Sequence, residues 1–158
     1  MTAMPGPVEM PGPVDGGNSA PVLLRRYPPY ASIAVSPPWA VVAWFGDIDV
    51  ATAGACRRAA DEAIRSGATH VAIDLRAVTF LDSSGLAVVS RLLRACRERE
   101  GEVCLLEPQP IVATALRVTG FAAAAAVVDL DALWPAAATL IEPAVRLTAE
   151  GKPSVSRG

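Results

Sequence analysis

Apolar positions along this chain follow two rhythms. Ile33 and Val35 alternate with small residues downstream of Tyr30, and after Pro37-Pro38 comes AVVAWF at 40–45. These read as two strands of a hairpin, with the prolines in the connection because proline donates nothing to a ladder. HVAIDL (70–75) and VCLL (103–106) are short apolar runs bounded by turn residues, of the length and Val/Ile content of buried strands.

The second rhythm is helical. Ala53, Cys56, Ala60 and Ile64 recur on one side of a segment whose other side carries Arg57, Arg58, Asp61, Glu62 and Arg65. Asp49 or Thr52 can cap it, Gly67 ends it, and Arg57 with Asp61, Arg58 with Glu62 and Asp61 with Arg65 have the i,i+4 spacing of ion pairs. After DSSG at 82–85, Leu86, Val89, Leu92, Leu93 and Cys96 form one stripe and Arg91, Arg94 and Glu98 the opposite one, up to Gly101. Pro110 opens a short helix that Gly120 stops. Val127-Val128 reads as a last edge strand, followed by a helix from Asp131 that Pro135 interrupts or restarts.

Strands alternating with helices need crossover connections, which predicts an α/β protein with a small mixed sheet and helices mainly on one side. Residues 1–21, rich in Pro and Gly, hold too few large apolar groups to offset the entropy of ordering and are expected to be a disordered tail.

Composition narrows the function. With 158 residues, 52% of them hydrophobic, the chain suits one domain with a real core. The most apolar stretch, Phe121 to Ile141, is broken by Asp129, Asp131 and Pro135, so no membrane insertion is expected. The start of the chain has no basic region followed by an apolar run, which points to the cytoplasm. A net charge of −2, with arginines interspersed among acids, argues against direct nucleic-acid binding. Cys56, Cys96 and Cys104 are far apart in apolar settings and read as buried free thiols, not metal ligands.

Candidate chemistry concentrates in Asp82, Ser83, Ser84 and Gly85. The pattern places them at a helix amino terminus, where free N–H groups and the helix dipole meet. One reading is structural: a serine caps the helix, and Gly85 lets it approach the sheet. The other is functional: a hydroxyl there is suited to carry a phosphoryl group. A nucleophilic enzyme fits less well, because G-x-S-x-G is absent and the single histidine, His70, begins a strand.

The run AIDLRAVTFLDSSGLAVV (72–89), preceded by VVAWFGDIDVATA (41–53), resembles the STAS domain, and within it the bacterial anti-sigma factor antagonists. The resemblance covers residues 30–133, leaving 134–158 as a C-terminal extension expected to be part helical and then disordered. It implies the STAS fold and a non-enzymatic regulator without cofactor or metal. It implies two partners: an anti-sigma factor that is also a GHKL-type serine kinase, and a PP2C-type phosphatase. By position Ser84 is the phosphate acceptor, Asp82, Ser83 and Gly85 complete the motif, and Gly46, Asp47 and Asp49 match a segment near the same partner surface. Asp47 and Ile48 stand where the family more usually has glutamate and leucine, and Gly54 and Ala55 weaken the start of the first helix. A second reading is a STAS scaffold or accessory subunit, of a stressosome-like or lipid-transport complex, without regulation by phosphorylation.

Overall fold

The computed structural model describes residues 23–150, with side chains to 147. The tail expected at 1–21 lies outside the described residues. Six strands form one sheet in chain order: β1 (Leu23–Tyr27), β2 (Ala31–Ser36), β3 (Trp39–Ile48), β4 (His70–Leu81), β5 (Glu102–Leu106) and β6 (Ala126–Val128). β1, β2 and β3 pair antiparallel, and β3 to β6 pair parallel. The parallel half therefore requires the crossover helices α1 (Ala53–Arg65), α2 (Ser83–Glu98) and the pair α3 (Pro110–Val118) and α4 (Phe121–Ala124). The predicted hairpin is β2–β3, with Pro37-Pro38 between its strands. β1 was not expected from the sequence: LLRRY has no alternation, and it forms an edge with Leu24, Arg25 and Arg26 exposed.

Strand alternation divides the core into two layers. Ile33, Val35, Val42, Trp44, Val71, Ile73, Leu75, Val103 and Leu105 point to one face and pack with α1 to α4. Their neighbours Ala34, Val41, Ala43, Ala72, Cys104 and Leu106 point to the other. A sheet covered on both faces explains why AVVAWF, HVAIDL and VCLL read as continuous apolar runs.

The second cover is α5 (Pro135–Glu150), so Pro135 restarts helix after a short 3₁₀ turn at Leu130–Ala132. Its buried residues Ala137, Leu140, Ile141 and Ala144 recur at one-turn spacing and form a single stripe. The small side chains Ala34, Ala43 and Ala72 beneath it let the helix lie close to the sheet. The buried Ser32 hydroxyl donates to the Ala144 carbonyl and ties β2 to α5.

If α5 is an integral layer, Leu140→Ala, at a site 2% exposed, should lower unfolding free energy by about 2–5 kcal/mol, as other large core truncations do. Urea denaturation followed by tryptophan fluorescence checks this; a loss under about 0.5 kcal/mol, the usual size for surface changes, would mark α5 as peripheral.

Candidate functional site

β3 and β4 run parallel and end together, with Asp47 opposite Phe80 and Ile48 opposite Leu81 after two register shifts. Gly46, at φ 77°, takes the left-handed conformation at the second shift. Each strand then turns into a helix, so both loops lie at the carboxyl end of the parallel sheet.

The first loop is closed by its own side chains. The Asp49 carboxylate accepts from the Ala51 N–H at 3.0 Å. The Thr52 hydroxyl donates to the Asp47 carbonyl at 2.9 Å and accepts from the Asp49 N–H at 3.0 Å. Of the two expected caps, Thr52 holds the N-cap position of α1, but its hydroxyl serves the loop and makes no cap bond. Asp47 remains exposed and accepts from the Thr79 hydroxyl at 2.6 Å.

The second loop is joined to the first by the Asp82 N–H, which donates to the Ile48 carbonyl at 3.1 Å. The Asp82 carboxylate caps α2, accepting from the N–H groups of Ser84 at 2.8 Å and Gly85 at 3.3 Å. This corrects the expectation that a serine caps the helix: a carboxylate satisfies the orphan donors and also complements the dipole. Ser83 is the first helical residue and exposed; Ser84 is the second and partly exposed. Gly85 is buried and shapes the turn without offering surface. A Cβ there would stand 2.3 Å from Leu81 Cδ1 and 2.9 Å from Ile48 Cγ2. Asp47, Asp49, Asp82, Ser83 and Ser84 thus gather at one end of the sheet, with the exposed side chains of Val50 and Phe80 beside them.

A shallow groove between α1 and α2 opens beside Ser84, and Val50, Gly54, Arg57, Ala87 and Arg91 line it. The expected ion pairs along α1 are replaced by others. Asp61 binds Arg91 of α2 through two bonds, at 2.8 and 3.1 Å, and Glu62 binds Arg65 at 2.7 Å and Arg25 at 3.7 Å. Packing α1 beside α2 brings a better-placed guanidinium to Asp61 than the one four residues away.

The remaining candidates lie elsewhere. His70 starts β4, and the strand, which spans the same length as the ten residues of β3, separates it from the serines by about 30 Å. Its ring sits 5.0 Å from Trp39 and 5.3 Å from Trp134, between the sheet and the start of α5. Cys56, Cys96 and Cys104 are buried free thiols, as expected, and desolvation pushes their pKa values up to about 12, 11 and 11. Among the described residues no His/Cys/Asp/Glu group could hold a metal ion, and no helix is long and apolar enough to cross a membrane. The sequence reading missed Asp74, which is 3% exposed and bound to Arg76 at 2.9 Å, with Gln109 donating to the Arg76 carbonyl. Its one signal was a charge inside an apolar strand.

A six-stranded mixed sheet, helices on its parallel crossovers and a D-S-S-G helix start together define a small mixed α/β domain. The chain belongs to the STAS domain family, whose family model matches residues 30–129. Its fold is similar to that of the anti-sigma factor antagonist SpoIIAA in its unphosphorylated form, at 26% identity and TM-score 0.52, over 58% of this chain and 78% of that one. It is also similar to an anti-sigma factor antagonist from Mycobacterium paratuberculosis, at 24% identity and TM-score 0.56, over 61% and 82%. The phosphorylated form of the Bacillus cell fate determinant SpoIIAA matches at 23% identity and TM-score 0.50, over 60% and 85%. No curated protein matches the sequence.

Asp82→Ala should cost about 1 kcal/mol through loss of the cap, whereas Ser83→Ala should stay within about 0.5 kcal/mol; urea midpoints distinguish them. Burial lowers the pKa of His70, with the charge of Glu102 opposing. The unfolded chain therefore protonates first, so the contribution of His70 is complete above the ordinary histidine pKa of about 6.5 and is lost as pH falls below it. His70→Gln should flatten the decline of the urea midpoint between about pH 7 and 5.

Proposed function

We propose that this protein is an anti-sigma factor antagonist switched by phosphorylation of Ser84. The unmodified protein docks on an anti-sigma factor that is also a GHKL-type serine kinase, and sigma is released. The kinase transfers the γ-phosphoryl group of ATP to Ser84 Oγ, releasing ADP and the hydroxyl proton, and a PP2C-type phosphatase hydrolyses the ester. The docking surface consists of Asp47, Asp49, Asp82, Ser83 and Ser84, with Val50 and Phe80 as its apolar part.

One observation carries this reading: Ser84 is partly exposed at the second position of α2, beside Asp82 and at the end of the sheet that carries Asp47 and Asp49, while its hydroxyl is not needed for the cap. A phosphoryl group there would add a charge of about −1.5 to −2. The positive end of the helix accommodates it, so the fold persists. A partner placed against the aspartates would instead meet repulsion and the cost of desolvating the phosphate. Membership of the STAS family supports the reading, as does likeness to SpoIIAA, a protein with an unphosphorylated and a phosphorylated form.

Affinity purification of wild type, Ser84→Ala and Ser84→Asp from native cells, with phosphosite mapping, tests both parts. Ser84→Ala should carry no phosphate at the motif and retain the kinase constitutively, and Ser84→Asp should bind it at least about tenfold more weakly. Phosphate confined to Ser83 would reverse the serine roles. Recovery of a transporter ATPase without any kinase would favour the accessory-subunit reading.

A further inference from the structure

The arginines of α1 and α2 bear on what happens to a phosphate once it is on Ser84. Both helices connect parallel strands, so they run side by side in the same direction. The Asp61–Arg91 pair fixes their relative level, with a sequence offset of 30. Carried back along the helices, this offset sets Gly54 level with Ser84 and Arg57 level with Ala87. All four residues line the same groove. At 1.5 Å per residue, Arg57 starts about 4.5 Å further along the axis than Ser84. Helical side chains lean toward the amino terminus, which aims Arg57 back toward Ser84. Gly54 and Ala87 place no bulky side chain between them, and the Arg58 guanidinium reaches over Gly54, 3.5 Å from where a Cβ would stand.

Arg57 is also free to respond. Its expected partner Asp61 is held by Arg91, and Glu62 is held by Arg65 and Arg25. Among the described residues Arg57 makes no ion pair, and it is exposed. An unpaired guanidinium and a hydroxyl on the walls of one groove form one arrangement.

We propose that Arg57 is an intramolecular clamp for phosphoserine at position 84, drawing the phosphoryl group into the α1–α2 groove. This rests on the reading of Ser84 as the acceptor, and it adds where the phosphate lies. The modified side chain folds over Gly54 and Ala87 and closes the groove, so phosphorylation changes the shape of this face as well as its charge. Arg57 and phosphate oxygens match as fork to anion, which lysine reproduces only as a point charge. The other charged groups around the phosphate are Asp82 on its own element, Asp47 and Asp49 in and before the β3–α1 loop, Arg58 with its guanidinium over Gly54, and, further along the groove, Arg94 and the Asp61–Arg91 pair.

The test uses full-length protein with phosphoserine installed during translation at position 84 or, separately, at 83, each with Arg57 intact or as Arg57→Gln or Arg57→Lys. Titration followed by phosphorus NMR reads the second phosphate pKa, ordinarily about 6. Phosphoserine 84 should titrate lower than phosphoserine 83, and Arg57→Gln should raise its midpoint by roughly half a unit while leaving position 83 unmoved. Arg57→Lys should keep part of the effect. An unchanged midpoint at 84, or equal shifts at both serines, would overturn the clamp. Because the phosphate is installed without any kinase, a cell that never modifies Ser84 would defeat the preceding reading and leave this result standing.

Discussion

The parallel pairing of β3 with β4 is the constraint on which the rest of this molecule depends. Register brings Ile48 beside Leu81, so the two strands release their chains at the same level and into neighbouring loops. The Asp82 N–H bond to the Ile48 carbonyl then joins the loops, and Gly85 lets α2 settle against the side chains of both strand ends. Any side chain at 85 would force Leu81, Ile48 or the start of α2 to shift. The aspartates and serines are brought together by backbone pairing and close packing, without direct bonds between the two sets of side chains other than through the main chain.

Much of this was legible in the sequence because the signals were local. Strand runs, the leucine-rich stripe of α2 and the glycine and proline boundaries depend on periodicity within a dozen residues and match the structure, except that β3 and β4 continue past their apolar runs to Ile48 and Leu81. What escaped depended on distant parts of the chain. β1 forms because β2 offers an edge, and LLRRY carries no pattern that announces it. The ion pairs of α1 were assigned by spacing along one helix, whereas the partner of Asp61 comes from α2. The second helical layer was foreshadowed without being recognised. Strands apolar at consecutive positions need cover on both faces, and the alanine-rich stripe from Ala137 to Ala144 was there to supply it.

The site also shows what a motif alone leaves undecided. In D-S-S-G the motif suggests a serine cap, although aspartate caps a helix as well. The structure assigns the cap to Asp82, whose carboxylate reaches the N–H groups of the second and third helical residues. Serine in that role would have bound its own oxygen to the backbone, and modifying it would have broken the cap.

Separating the cap from the hydroxyls has a consequence for any switch built here. The cap of α2 is a carboxylate and not the Ser84 hydroxyl, so chemistry on Ser84 Oγ does not remove the cap acceptor. Opposing electrostatic demands are met by different groups: Asp82 and the helix start are matched to each other, Asp61 neutralises Arg91, and Arg57 is left over on the groove side. Had Arg57 been paired along its own helix, as its sequence spacing suggested, the groove beside Ser84 would keep only Arg94 as an uncommitted positive charge among the described residues. The failure of that local pairing thus leaves Arg57 uncommitted on the groove, which the proposed phosphate contact requires.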